Sequence, residues 1–139
     1  MTGEIYRNMQ GAGAAIGSLE LCERPFRTDG DNTYDIVPLG PVLEGLGPKI
    51  TELVVHVDCS EKTANLKYKV RNAYSYDGQN WQTGVDLISE QTTTGYVIGS
   101  SCTDRQKFGR YMRFEVCVND TGAVEQAFLK VALYWKYDT

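Results

Sequence analysis

Histidines and closely spaced cysteines are scarce in this sequence. Among 139 residues there is one histidine, His56, and no two of the four cysteines form a CxxC pair. Zinc sites are usually built from cysteine and histidine at short spacings, so this scarcity argues against a zinc protein. His56 stands between Val55 and Val57, which favours a surface or hydrogen-bonded core histidine over a catalytic base.

Long hydrophobic runs and a basic excess are also absent. No stretch is apolar for long enough to span a membrane, and the N-terminal "MTGEIYRNMQGAGAAIGSLEL" has no apolar core of a signal peptide. The net charge is −4, whereas nucleic-acid-binding domains normally carry a basic excess. We therefore expect no membrane partner, no nucleic-acid partner and synthesis without a secretory signal.

The four cysteines, Cys22, Cys59, Cys102 and Cys117, have two interpretations. In a chain without a secretory signal we expect them to be reduced, mostly buried and used as small apolar residues. Two disulfides are the alternative, and three connectivities are then possible.

Motifs of catalysis are missing as well. The sequence has no GxSxG, P-loop or dinucleotide fingerprint, so we predict a protein that is not an enzyme and that needs no cofactor. The run "DGDNTYD" places Asp29, Asp31, Thr33 and Asp35 at alternating positions, as some calcium loops do. It does not match an EF-hand, and a solvated Asx turn is favoured over a structural calcium site.

What the sequence does contain is the two-residue alternation of β-strands. In "ANLKYKVRNAYSY", apolar side chains and basic side chains point to opposite sides. Three further segments, "KITELVVHVDC", "RYMRFEVCVN" and "EQAFLKVALYWKY", also read as strands. The last of them is long and apolar enough to be a central strand rather than an exposed edge.

Turn formers divide these strands. Asp77-Gly78 predicts a hairpin turn, and Pro38 is expected to end a short extended piece. Residues 40–49 read as a loop or one helical turn. Glu23–Asp35 and Glu90–Phe108 read as long loops, the second with one short strand, "YVIG".

Together these segments predict an all-β fold. About eight strands joined by turns favour an antiparallel β-sandwich of the jelly-roll type. We expect residues 1–17 to form an N-terminal arm, and residues 18–139 to form a single β-sandwich domain.

Two segments resemble a known family. "YKVRNAYSYDGQNW" resembles the strand-turn motif of discoidin-type domains, the coagulation-factor C-domain modules, and "GRYMRFEV" resembles their later arginine-tyrosine strand. This resemblance implies a jelly roll that binds carbohydrate or lipid headgroups. The terminal cysteine pair of that family is missing here, so no binding residue is carried over.

The same motif order, from about Lys49 to Tyr137, is similar to β-sandwich proteins of tailed-phage virions. This similarity implies a non-enzymatic virion protein, a capsid decoration (cement) protein or a minor capsid or tail subunit. We then expect other virion proteins as partners, a homo-oligomer, and an arm whose Tyr6 and Met9 contact neighbouring subunits.

A carbohydrate-binding module is the alternative function. Such modules stack sugars on exposed aromatic rings, and the candidates for this role are Tyr74, Tyr76, Trp81 and Tyr96. For Trp81, a role as the anchor of the hairpin against the core is favoured over contact with a glycan.

Overall fold

The computed structural model describes residues 14–44 and 49–138, with side chains for residues 17–44 and 49–137. The described part contains eight β-strands and one short 3₁₀ helix at Arg105–Lys107. The strands are β1 (Ala14–Arg27), β2 (Asp35–Glu44), β3 (Ile50–Lys62), β4 (Lys67–Ser75), β5 (Gln82–Gln91), β6 (Gly95–Ser101), β7 (Tyr111–Asn119) and β8 (Gln126–Asp138). Most of the predicted arm, including Tyr6 and Met9, lies outside the described residues, and β1 begins within its last four positions.

The strands form two four-stranded antiparallel sheets. Sheet A has the order β1-β8-β3-β6, and sheet B has the order β2-β7-β4-β5. Each strand pairs with the strand at the same distance from the other end of the chain: β1 with β8, β2 with β7, β3 with β6 and β4 with β5. The chain is therefore one long hairpin rolled into two sheets, which confirms the predicted jelly-roll sandwich.

The core lies between the sheets and follows the alternation in the sequence. In β8, the inward side chains from Ala127 to Trp135 are buried at every second position, and β8 lies between β1 and β3 as expected of a central strand. The inward residues of the three other clearest strands are also buried: Leu53, Val55, Val57, Tyr68, Val70, Met112, Phe114, Val116 and Val118.

The prediction that Pro38 ends a strand is wrong. β2 continues through Pro38 and Pro41 to Glu44, although its register against β7 shifts between Leu39 and Leu43. Because β2 is an edge strand of sheet B, it can carry prolines whose missing N–H groups would interrupt a central strand. The residues from 40 to 44 are therefore strand rather than loop.

The first long loop is also shorter than predicted. Glu23–Arg27 belongs to β1, which pairs with β8 along its whole length, so the connection to β2 covers only residues 28–34. In the second loop the short strand is confirmed as β6. There, a Cβ on Gly99 would lie 1.8 Å from the carbonyl oxygen of Leu87, so only glycine allows β6 to lie against β5.

None of the four cysteines forms a disulfide. Cys59 and Cys117 are buried, Cys22 is partly buried and Cys102 is exposed. Burial raises the pKa of the Cys22, Cys59 and Cys117 thiols, and a thiol with a raised pKa is a poor nucleophile. None of the described residues forms a helix with the length and hydrophobicity that a membrane crossing requires.

Candidate interaction surface on sheet A

The outward side of sheet A carries a flat apolar surface, which we call the aromatic face. It is formed by outward residues of β3, β6 and β8, namely Val54, His56, Tyr96, Ile98, Ala132 and Tyr134. In the sheet, Tyr134 pairs with Val54, and His56 pairs with Ala132 on one side and Ile98 on the other. No aspartate, glutamate, lysine or arginine is among these six residues, but Glu20 on β1 borders the face beside Ala132, and Asp58 on β3 borders it beside Tyr96.

The largest side chains of the aromatic face are well exposed. The exposed fractions are 62% for Tyr96, 56% for Ile98 and 37% for Tyr134. Seven large hydrophobic residues are exposed among those that the structure describes, and these three are neighbours on one face. Single exposed apolar residues are ordinary, whereas a contiguous apolar group on a protein surface marks a contact site.

The rings of this face hold one another in place. The rings of His56 and Tyr96 meet edge to face with centroids 5.5 Å apart, and those of His56 and Tyr134 are 4.7 Å apart. The Tyr96 hydroxyl is also hydrogen-bonded to Nδ1 of His56. His56 is thus a surface residue with its own partner. A row of rings ordered in advance loses little side-chain entropy when a partner binds.

Charged residues border the aromatic face at both ends. Toward one end, Nζ of Lys136 on β8 lies 3.2 Å from Oε1 of Glu52 on β3. Toward the other end, Lys130 on β8 pairs in the sheet with Asp58 on β3. An apolar, aromatic centre with a charged rim is the usual composition of a protein–protein interface.

Two open grooves border the same sheet. One of about 270 Å³ lies beside Tyr134 between β1 and β8, and one of about 290 Å³ lies between Pro25, Glu61 and Phe128. Pockets for small ligands are typically enclosed and measure about 300–1,000 Å³. The geometry of sheet A therefore suits a flat partner better than a small ligand.

The outward side of sheet B is built differently, because its charged groups bind one another. The carboxylate of Glu115 is nearly buried there, with Nε of Arg71 2.9 Å from one oxygen and Nη2 of Arg113 3.2 Å from the other. The guanidinium of Arg113 also lies 4.5 Å from the ring centroid of Trp81.

Next to this cluster, Lys69 and Tyr34 also pack on the outward side of sheet B. Nζ of Lys69 is 3.6 Å from a carboxylate oxygen of Asp86 and 4.8 Å from the centroid of the Tyr34 ring. The Tyr34 hydroxyl donates to Glu90. Burial, and to a smaller extent this hydrogen bond, raises the pKa of Tyr34. We call this set, with Arg71, Arg113, Glu115 and Trp81, the sealed face.

Of the predicted contact residues that the structure describes, Tyr74 and Tyr76 lie together, with ring centroids 5.9 Å apart, whereas Trp81 and Tyr96 lie on opposite sheets. Tyr96 lies on the aromatic face. Tyr74 is half-buried and pairs in the sheet with the core residue Met112. Tyr76 is exposed in the β4–β5 turn, but its hydroxyl donates to the carbonyl oxygen of Gln106. Trp81 belongs to the sealed face, so the expectation that it anchors the hairpin against the core is wrong.

The turn between β4 and β5 is held by the side chain of Asp77. One of its carboxylate oxygens accepts hydrogen bonds from the N–H groups of Asn80 and Gln79, both at 2.8 Å, and from the Ser75 hydroxyl at 3.0 Å. These bonds hold the pKa of Asp77 well below its usual range, and the bond from the Asn80 N–H has the largest effect. The turn predicted at Asp77-Gly78 is thus confirmed and rigid.

The acidic loop is folded by its own carboxylates. Oxygens of Asp29, Asp31 and Asp35 lie within 4.8 Å of one another. The Thr33 N–H donates to Asp31 at 3.1 Å, and the Asp29 N–H donates to Asp35 at 3.0 Å. A hydrogen bond with Asp35 and repulsion from its charge raise the pKa of Asp29. The bond from Thr33 to Asp31 is that of an Asx turn, the favoured interpretation of this run, and the bond from Asp29 to Asp35 closes the loop across six residues.

Most of the aromatic face was not predicted from the sequence. Val54, His56, Ile98 and Tyr134 were not among the candidates. A signal for two strands was present, since the outward positions in the middle of β3 and β8 are apolar although those strands also fill the core. Their position side by side depends on the register, which joins residues as far apart in sequence as Val54 and Tyr134.

The sequence matches no protein-family model and no curated relative, but the fold recurs in solved structures. VP2 of the infectious bursal disease virus subviral particle superposes with a TM-score of 0.64 over 91% of this chain and 34% of VP2, at 9% identity. A structure of the infectious bursal disease virus Gx strain superposes with a TM-score of 0.65 over 90% of this chain and 32% of the matched chain, at 6% identity. The PBSX exported protein XepA gives 0.56 over 88% and 37%, at 10% identity.

This chain spans about a third of the length of those proteins. At identities of 10% or less, the likeness establishes a shared jelly-roll fold. The fold is therefore one that VP2 of a subviral particle also has, and the role of this chain has to be argued from its own surface.

Proposed function

We propose that this chain is a non-enzymatic structural protein of a virus particle, which binds neighbouring virion proteins as a capsid decoration (cement) protein or as a minor capsid or tail subunit. The observation that carries the proposal is the exposed aromatic face on a jelly roll. The fold shared with VP2 and with XepA supports it.

The aromatic face has the properties that such a contact needs. Its rings are exposed and already ordered, and its charges are confined to the rim. Association removes apolar area from water, and this supplies most of the free energy of a protein–protein contact. The rim charges then select the orientation of the partner.

The remaining side-chain chemistry supports binding rather than catalysis. His56 is occupied by two tyrosine rings, and three of the four thiols have raised pKa values. The buried Glu115 is neutralised by two arginines. A catalytic acid or base needs a free, positioned group within reach of a substrate.

Particle composition tests the proposed function. Particles from a culture that produces this protein are purified on a density gradient, and the chain is detected by quantitative mass spectrometry and by antibody labelling in electron micrographs. We expect a fixed number of copies per particle. Intact particles that lack the chain would contradict the proposal.

Glycan binding is the second candidate, and the exposed ring of Tyr96 beside His56 and Tyr134 favours it, since sugars stack on exposed rings. A glycan array with the folded protein tests it. If this function is correct, Tyr96→Ala abolishes a signal that Tyr76→Ala, an equally exposed tyrosine away from the face, leaves intact.

A further inference from the structure

We propose that the partner of the aromatic face is a second copy of this chain, related by a two-fold axis that runs parallel to the strands between β8 and β3. The inference deepens the proposed function, on which it rests, because it concerns the same face. It is argued from the order of charges and of side-chain sizes on the two central strands of sheet A.

The two central strands carry opposite charges at both ends of the face. On β8 the outward charges are Lys136 and Lys130, and both are positive. On β3 the residues paired with them are Glu52 and Asp58, and both are negative. The apolar middle of the face separates the two pairs by about 20 Å along the strands, at about 3.4 Å per residue.

This order of charges selects one way of stacking two copies. A two-fold axis along the strands places β8 of one copy over β3 of the other. It leaves the strand direction unchanged, so the Lys136–Glu52 end of one copy lies over the Lys136–Glu52 end of the other. Lys136 then faces Glu52 of the second copy, and Lys130 faces its Asp58. An axis across the strands would place Lys136 over Lys130 and Glu52 over Asp58, which repel each other.

The sizes of the apolar side chains agree with the same axis. Tyr134 would lie over Val54 of the second copy, and His56 would lie over Ala132, so that each large ring meets a small side chain. Face-to-face sheets pack when large and small side chains interdigitate, with strand directions within about 30° of each other. The two central strands are thus self-complementary, as a two-fold interface requires.

The size of the face sets the expected strength. Three strands about 4.8 Å apart and about 20 Å of strand length, with the surrounding side chains, give roughly 400 Å² per copy. Specific interfaces bury about 800 Å² per partner, and smaller ones are usually weak. We therefore expect a dimer with a dissociation constant in the micromolar range or weaker, in exchange with monomer.

A pair of charge variants tests both the partner and the axis. K130E/K136E makes the rim of β8 negative, and E52K/D58K makes the rim of β3 positive. Each variant alone faces like charges in its own dimer, whereas an equimolar mixture restores opposite charges at every rim position. Sedimentation equilibrium at low salt, where surface charges are least screened, measures all three samples and the unchanged protein.

We expect the unchanged protein to dimerise and each variant alone to associate at least about tenfold more weakly. The mixture should recover an affinity within about threefold of the unchanged protein. A circular-dichroism melt confirms that each variant is folded, and K49E, an exposed lysine outside the face, serves as the charge control. If one charge variant does not fold, two single substitutions of exposed isoleucines replace it. I98K on the aromatic face should weaken dimerisation, and I36K on sheet B should leave it unchanged.

Three results would overturn the proposal. An unchanged protein that is monomeric at millimolar concentration has no such partner. Variants that dimerise as well as the unchanged protein show that another surface is used. A mixture that associates much more tightly than the unchanged protein contradicts the axis, because an axis across the strands opposes like charges in the unchanged protein but unlike charges in the mixture. A monomer that is still found in particles would leave the proposed function standing with another protein on the face, whereas a dimer absent from particles would contradict only the proposed function.

Discussion

The two outer faces of this sandwich treat their polar groups in opposite ways. On sheet B, Glu115 is buried between Arg71 and Arg113, and the ring of Trp81 packs against Arg113. On sheet A, the middle of the face is apolar and open, and the charged residues stand at its rim. Both faces belong to four-stranded antiparallel sheets of one fold.

This difference indicates which of the two faces can still bind a partner. A buried carboxylate is tolerated only when cations and hydrogen bonds compensate for its lost water, so the groups of the sealed face are already committed to one another. The aromatic face has no internal partner for its apolar area. We therefore expect changes on the sealed face to alter the free energy of unfolding, and changes on the aromatic face to alter association.

The largest expected effect is on the sealed face. Glu115→Ala should lower the free energy of unfolding by about 3 kcal/mol, because it leaves two partly buried guanidinium groups without their carboxylate. Glu115→Gln, which keeps an acceptor for one arginine, should cost less. Urea unfolding followed by tryptophan fluorescence measures both. A loss below about 1 kcal/mol for the alanine variant would mean that the cluster is a solvated surface network.

A matched pair of isoleucines compares the faces directly. Ile98 on the aromatic face and Ile36 on the outward side of sheet B are 56% and 50% exposed. Ile98→Lys should weaken self-association by about tenfold or more, because it places a charge in an apolar contact, and Ile36→Lys should not change it. Sedimentation velocity across a concentration series gives both values, and equal effects would remove the distinction between the faces.

A carboxylate outside both faces separates stability from association. The Thr28 hydroxyl and the N–H groups of Gly122, Asn32 and Gly30 hold the pKa of Asp120 at about 2. In the unfolded chain an aspartate titrates near 3.9, so its contribution is fully present above about pH 4 and is lost as the pH falls toward 2.

Asp120→Asn should therefore lower stability at neutral pH and flatten the acid dependence between about pH 4 and pH 2. Thermal melts over this range show it, and dimerisation at neutral pH should stay unchanged. A variant that keeps the full acid dependence of the unchanged protein would show that another carboxylate is responsible.

The smallest expected effect concerns two exposed tyrosines. Tyr96→Ala should change the free energy of unfolding by less than about 0.5 kcal/mol, as is usual for exposed residues. Tyr76→Ala removes a comparable set of contacts, a hydroxyl that donates to the Gln106 carbonyl oxygen and a ring beside Tyr74, so it should cost about the same. For self-association, Tyr96→Ala should have an effect and Tyr76→Ala should not. Chemical denaturation and sedimentation of both variants test the pair.

The sequence predicted the fold where side chains alternate strictly. β4, β7 and β8 were identified because burial of one face imposes a two-residue period. The continuation of β2 through Pro38 was missed, because a proline is tolerated only at an edge, and edge position depends on pairing between distant strands.

The candidate surface was harder to predict for a related reason. Tyr96 was identified as an exposed ring, but its neighbours His56 and Tyr134 come from strands 40 and 38 positions away in the sequence (96 minus 56, and 134 minus 96). Alternation shows only that a residue points outward. It does not show whether an outward ring meets an arginine, as Trp81 does, or solvent, as Tyr96 does.

The most direct test of the central claim is oxidative footprinting of the exposed tyrosines by mass spectrometry in dilute and in concentrated protein. If the aromatic face is the association surface, oxidation of Tyr96 and Tyr134 falls severalfold as the concentration rises, while Tyr76 in the β4–β5 turn is oxidised equally in both samples. Protection of Tyr76 alone, or no protection of Tyr96 in a sample shown to be dimeric, would contradict the account.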